Sequence, residues 1–258
     1  MKKMIENPFP TTWQALQEQV NNILNEIGLE SEVGKAISTP RGTVEIDVFA
    51  IDTKSIDKIK YIIECKNWAS AIPQTVVHAF TTVMHESGGN IGYIISKGGL
   101  QAGAIEYTRY TNIQGLTFLE FQRKYFTPWF DNYFAPSIDA RADALVQYTE
   151  PFNSRRTKYL DKLSDIEFLE YEKLCERYAL FGVMMCMISA PPLFQKDRKK
   201  VPDDIEEFKS KISNSQNSLN LKSVYFRDLL NELLALIDEA TDEFNNIFKK
   251  NIFAQQNV

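Results

Sequence analysis

The chain has 258 residues, with 29 Lys and Arg against 34 Asp and Glu, for a formal net charge of −5. Neither half is basic: residues 1–126 hold 12 cationic against 13 acidic side chains, and residues 127–258 hold 17 against 21. This excludes a simple basic glove for nucleic acid, although a local groove or a bound cation supplies positive charge on an acidic protein.

In chain order, Thr12 to Ile27 has a 3.6 period in Trp13, Leu16, Val20, Ile23, Leu24 and Ile27, which predicts a helix stopped by Gly28. Glu32 to Ile37 predicts a short strand, and Pro40-Arg41-Gly42 a turn. Thr43 to Ile51 is a second strand, Asp52 to Lys58 a polar connection, and Lys60 to Lys66 a third strand. A helix runs from Gln74 to about Glu86 after Pro73, ended by Gly88-Gly89. Asn90 to Ser96 is an apolar strand, Leu100 to Tyr110 a helix, and Leu116 to Phe121 a last strand. This order predicts an α/β layer, a mixed sheet flanked by helices.

Beyond about Arg123 the strand signals vanish. Phe126, Trp129, Phe130, Tyr133 and Phe134 form a dense aromatic helix or hairpin punctuated by Pro128 and Pro136. Leu160, Leu163, Ile166, Leu169, Leu174, Tyr178 and Phe181 make a long helical stripe. Asp203 and Asp204 are placed to cap a shorter helix, Leu221 to Phe248 reads as another long one, and the whole region as four or five helices. The expected organisation is an α/β domain over 1–125 and an all-helical domain over 126–258. Lys196, Arg198, Lys199 and Lys200 form a short basic loop, either solvated or in contact with phosphate.

Cys65, Cys175 and Cys186 are far apart and form no CxxC, which fits a reducing compartment and a cytoplasmic location. The start, Met1-Lys2-Lys3 followed by Ile5, Glu6, Asn7 and Pro8, has no signal-peptide pattern. The longest uncharged apolar stretch, Ala179 to Phe194, contains Pro191 and Pro192 and is short for a membrane span, so a buried helix is expected.

The chemistry concentrates in two strings, Glu45-Ile46-Asp47-Val48 and Ile63-Glu64-Cys65-Lys66. Strand side chains alternate with a period of two, so Glu45 and Asp47 share one face, and Glu64 and Lys66 share another. Alternation at Asp47 fits a solvated strand face equally well. The second string is less ordinary: Tyr61-Ile62-Ile63 reads as a strand buried on both sides, and charges at its end need a cleft or a partner. Two carboxylates and a lysine converging on one point are a divalent-cation site with an adjacent ammonium, the equipment for phosphodiester hydrolysis. His78 and His85, with no third ligand nearby, read as packing or surface residues rather than a zinc site. Lys97-Gly98-Gly99 lacks the spacing of a nucleotide-binding loop.

The ordered set of Arg41-Gly42-Thr43-Val44-Glu45-Ile46-Asp47-Val48, Ile63-Glu64-Cys65-Lys66, a helix opening with Gln74, and Ile94-Ile95-Ser96 leading to Ala102-Gly103-Ala104-Ile105-Glu106-Tyr107 resembles the PD-(D/E)xK nuclease superfamily. Within it the set is most similar to the Mrr-type restriction endonuclease catalytic domain, over roughly residues 12–123. Ile46 stands where the superfamily pattern has the proline before the first aspartate. The resemblance implies a restriction-endonuclease-like core that hydrolyses DNA with Mg²⁺, or with Mn²⁺ as a substitute, in prokaryotic restriction or anti-phage defence. It implies Asp47, Glu64 and the Cys65 carbonyl as metal ligands. It implies Lys66 beside the attacking water, protonated while no metal is bound. Gln74 fixes Lys66, a water or a phosphate, or is an ordinary polar helix-start residue. Glu45 is a peripheral candidate and Glu18 a solvated or outlying one. Two other readings stand beside the nuclease: a silent nucleic-acid-binding or assembly module, and a nuclease subunit switched on by a partner or signal. The helical half is the expected place for a homo-oligomer or protein partner.

Overall fold

The computed structural model describes residues 4–189, 202, 204–213 and 219–254. The described residues form two compact units, one of residues 7–132 and one of residues 1–6 with 133–258. The basic loop at 195–200 and Asp203 lie outside the described residues.

The first unit is a five-stranded sheet with helices on both faces. Its elements are α1 (Trp13–Glu26), β1 (Glu30–Thr39), β2 (Gly42–Ile51), β3 (Lys60–Lys66), α2 (Gln74–Ser87), β4 (Ile91–Ser96), α3 (Ala102–Thr108), β5 (Ile113–Thr117) and α4 (Phe118–Trp129). The strands lie in chain order, β1-β2-β3-β4-β5. The first three are joined by short connections and pair antiparallel. The last three are parallel, and α2 and α3 supply the crossovers that parallel pairing requires.

Alternation divides the sheet cleanly. Ile62, Ile94 and Ile113 pack with Val77, Phe80 and Met84 of α2 and Ala104 of α3. On the opposite face Tyr93 meets Phe121 and Tyr125 of α4 edge-on, at 6.0 and 6.2 Å between ring centroids. Gly92 is required on the α2 side, because a Cβ there would come 2.8 Å from Met84 Sδ and 2.9 Å from Phe80 Cε1. The exposure of Trp13 takes it off the buried stripe of α1, which consists of Leu16, Gln17, Val20, Ile23 and Leu24.

The first strand is longer than the sequence suggests, because Glu30–Thr39 pairs along the whole length of β2. The strand expected over Leu116–Phe121 is instead the end of β5 and the start of α4. Thr117 and Glu120 form a reciprocal capping box, and those two hydrogen bonds turn the chain helical at Phe118. The helix expected from Leu100 is shorter, Ala102–Thr108. The aromatic segment is helical: α4 carries Pro128, and a π-helical stretch, Phe130–Phe134, follows. Proline cannot donate the helical hydrogen bond, and local widening of the helix is one way to absorb that loss.

The second unit contains α5 (Ala135–Thr149), α6 (Ser154–Leu160), α7 (Asp165–Cys186), α8 (Ile205–Ser213) and α9 (Phe226–Phe248). The stripe expected over Leu160–Phe181 is broken between α6 and α7, where Ser164 and Glu167 form a second capping box. Gly182 of α7 lies close to Leu145 and Val146 of α5, 3.3–3.5 Å from where its Cβ would stand. Tyr148 stacks on Phe244 at 5.1 Å and donates to Asn245 Oδ1 at 2.6 Å, which ties α5 to α9. Asp204 Oδ1 accepts the Glu206 N–H at the start of α8. Helix α9 begins later than expected, and its cap residue Tyr225 offers no side-chain hydrogen bond. Its first N–H groups, at Phe226 and Arg227, donate instead to the carbonyls of Met4 and Ile5, which satisfies donors that a helix start leaves open. Among the described residues no helix is long and apolar enough to cross a membrane.

Candidate active site

The pairing of β2 with β3 runs from Ile51↔Lys60 to Val48↔Ile63 and stops. Strand β3 continues, paired with β4 as far as Lys66↔Ser96. Glu64, Cys65 and Lys66 therefore have a strand neighbour on one side only, and a cleft opens between β2 and β3. Asp47 stands one residue past the last paired position of β2. Its Oδ2 accepts the Cys65 N–H at 2.7 Å, so a side chain takes over where the backbone ladder ends.

Opposite residues in an antiparallel pair share a face. Continued by one step, the register puts Asp47 and Glu64 side by side, with Lys66 two residues further on the same face. Lys66 Nζ forms an ion pair with Glu64 Oε1, and each side chain is 27% exposed. The Cys65 thiol is buried on the other face, and burial pushes its pKa well up, so it is no nucleophile.

The electrostatics follow from crowding two carboxylates in a half-buried cleft. Burial raises the Glu64 pKa; the hydrogen bond from Lys66 opposes this, and the Asp47 charge adds to it. For Lys66, burial lowers the pKa, but the Glu64 hydrogen bond and charge, helped by Asp47, more than offset it and leave the ammonium firmly protonated. The donors open to a cation here are carboxylate oxygens, a hard set that suits a divalent ion such as Mg²⁺. Among the described residues no group of three or more His, Cys, Asp or Glu side chains is arranged for a metal. An ion held here would rest on two carboxylates, a backbone carbonyl and water.

The other candidates lie further off. Gln74 opens α2 and is exposed; its Nε2 lies 3.2 Å from His78 Nε2. Its Oε1 is 3.1 Å from where a Gly103 Cβ would stand, so it faces α3. No hydrogen bond joins Gln74 to Asp47, Glu64 or Lys66 among the described residues. His78 also packs on Tyr107 at 4.4 Å, and His85 is exposed. Glu45 and Glu18 are exposed. Cys175 and Cys186 are half-buried rather than core residues; burial pushes the Cys186 thiol up to about 11.

Sequence reasoning missed two residues that shape the cleft. Gly34 has φ +67° and lies opposite Asp47, in the gap between Val33↔Val48 and Lys35↔Ile46 where the β1–β2 ladder skips a pair. A left-handed backbone in mid-strand favours glycine, and a lone glycine in a strand pattern is the signal that could have found it. Gly98 lets two loops meet at the carboxyl ends of β3 and β4: a Cβ there would be 2.6 Å from the Ala69 carbonyl oxygen. Nearby, a cavity of about 140 Å³ is lined by Asn67, Ser96, Lys97, Thr117 and Leu16 among others. Neither carboxylate nor Lys66 lines it.

Residues 10–123 match the Mrr_cat family, described as restriction endonuclease. This segment is an Mrr-type restriction-endonuclease domain. The mixed five-stranded sheet flanked by helices is the restriction-endonuclease-like fold. The match spans the sheet of the Mrr-type domain and ends within α4. No curated protein matches the chain. Among solved structures, one titled as the crystal structure of a protein of unknown function, AF1548, is similar at 14% identity. It covers 90% of this chain and 99% of its own, with a TM-score of 0.37, too low to bear on the fold.

Proposed function

We propose that the chain is a divalent-metal-dependent endodeoxyribonuclease acting in the cytoplasm of a prokaryote, in restriction or anti-phage defence. The observation that carries this reading is the meeting of Asp47, Glu64 and Lys66 on one face where β2 and β3 part. Asp47, Glu64 and the carbonyl of Cys65 would hold Mg²⁺, or Mn²⁺ in its place. When bound, such an ion lowers the pKa of a water and offsets charge on the reacting phosphate.

The chain's own residues do the remaining work. The Cys65 N–H fixes the Asp47 carboxylate before any substrate arrives, so that ligand is preorganised. Lys66 brings a compact positive charge beside the carboxylates, where it orients the attacking water and stabilises charge developing on phosphate. Its Glu64 pair keeps it protonated in the resting protein. Were Glu64 to hold a cation, its ion pair with Lys66 would loosen and the ammonium would be available to the substrate. We assign Gln74 a positioning role at the rim, through a phosphate or a water. We assign the helical unit to assembly, with a second copy or a protein partner.

The test is cleavage of plasmid, linear, single-stranded and modified DNA, and of RNA, with Mg²⁺, Mn²⁺ or EDTA. Cleavage of DNA that needs the metal and disappears in Lys66→Ala is expected. Metal-independent cleavage, or equal activity in Lys66→Ala, refutes the assignment.

A further inference from the structure

Helix α7 is apolar on two opposite faces. Its inner face buries Tyr171, Tyr178, Phe181, Gly182 and Met185 within the second unit. Its outer face carries Ile166, Leu169, Leu180, Val183 and Met187, which are 73, 52, 57, 43 and 57% exposed. Lys173 and Glu176 complete the outer stripe, and both are exposed. The positions 166, 169, 173, 176, 180, 183 and 187 alternate steps of three and four, the spacing of a coiled-coil seam. Neither Lys173 nor Glu176 forms an ion pair within the chain, among the described residues.

The order of residue types within the stripe indicates its occupant. The sequence reads apolar, apolar, Lys, Glu, apolar, apolar from Ile166 to Val183. Such a stripe is self-complementary when two copies lie antiparallel, related by a two-fold axis that passes between positions 174 and 175. Ile166 then meets the partner's Val183, Leu169 meets the partner's Leu180, and Lys173 meets the partner's Glu176. Each contact occurs twice, as an isologous interface requires. The parallel alternative puts Lys173 against Lys173 and Glu176 against Glu176, and so is disfavoured by like charges at the centre. The six positions span about 26 Å of helix, long enough for three mixed layers on each side of the axis.

We infer that α7 is a homodimerisation helix, pairing antiparallel with α7 of a second copy through Ile166, Leu169, Leu180 and Val183, with register set by the Lys173–Glu176 pairs. This deepens the assignment of the second unit to assembly. It does not depend on the nuclease chemistry, because Asp47, Glu64 and Lys66 belong to the other unit.

The test is sedimentation velocity on the full chain across a hundredfold range of concentration, with circular dichroism as the folding control. The wild type is expected to dimerise, and Leu169→Asp with Leu180→Asp to be a folded monomer. Lys173→Glu alone is expected to raise the dimer Kd by about tenfold or more, by setting two acidic groups against each other. Adding Glu176→Lys reverses both partners and is expected to restore the Kd to within about threefold of wild type, the measure of a direct pairwise coupling. A monomeric wild type overturns the interface while leaving the cleavage reading untouched. A dimer indifferent to the Asp substitutions also overturns it, and failure of the double reversal to rescue overturns the antiparallel register.

Discussion

Asp47 has two duties that substitution can separate. Its carboxylate is proposed to hold a cation, and in the resting protein it accepts the Cys65 N–H at 2.7 Å. Asp47→Asn and Asp47→Ala both remove the negative charge, so the loss of its interactions with Glu64 and Lys66 is common to the two variants. They differ in the acceptor: asparagine keeps a side-chain oxygen for Cys65, whereas alanine leaves a donor in the strand without a partner. An unmade hydrogen bond at a buried donor costs about 1–3 kcal/mol. The cleft at Asp47 is half-buried, so water recovers part of that, and about 1–2 kcal/mol is expected between the variants. For a unit of this size that corresponds to a Tm difference of about 3–6 °C. Urea and thermal unfolding in EDTA, alongside cleavage in Mg²⁺, make the comparison. Both variants should fall to background cleavage, with Asp47→Ala the less stable of the two. Equal stability of the two, within about 0.5 kcal/mol, would refute the capping role of Asp47.

Three further outcomes follow from the same structure. The Glu64 pKa is raised, so its carboxyl is protonated at a pH where an ordinary glutamate is still ionised. Thermal stabilisation by Mg²⁺ should therefore fade on acidification from above the usual carboxylate range, and be absent at every pH in Glu64→Gln; a midpoint at or below about 4.3 would contradict this. Glu167 is held down to about 2 by the Ser164 N–H and hydroxyl and by Lys249. A depressed carboxylate contributes stability that is present above its unfolded pKa and lost as pH falls toward 2, so Glu167→Gln should flatten acid unfolding of the helical unit in that window. In Gly98→Ala the new methyl group meets backbone at 2.6 Å, which cannot rotate away. A loss of about 1–3 kcal/mol is expected in urea titration, and an unchanged midpoint would show that the loops can part.

The sequence made β2 and β3 legible because alternation has a short period and needs no knowledge of the neighbours. The charges at Glu64 and Lys66 stand out because Tyr61-Ile62-Ile63 reads as buried on both sides, whereas Asp47 alone fits a solvated face equally well. The cleft itself was not legible, since the point where two strands stop pairing depends on contacts far apart in sequence. Two of the misplaced boundaries, at Phe118 and at Ser164, have one cause. A Thr-x-x-Glu and a Ser-x-x-Glu sit inside an apolar run and a helical stripe, although each marks a helix start. The outer face of α7 was hidden for a different reason. Two apolar stripes on opposite sides of one helix blur into a single continuous pattern, and only burial separates Tyr171 and Tyr178 from Leu169 and Leu180.

The acceptance of the first α9 donors by Met4 and Ile5 has a consequence for how the protein is made. Met4 and Ile5 precede the whole sheet in the chain, so a ribosome emits them well before the helix they serve. The sheet of the first unit is complete in the emerging chain long before then, and domains tend to fold in the order they appear. The helical unit is different: it closes only after α9 has been synthesised and has found the segment that emerged ahead of the sheet. A chain cut short before Phe226 would thus carry a finished sheet without the body to which residues 4–5 belong. In that sense the joint between residues 4–5 and α9 reports that translation has passed α9.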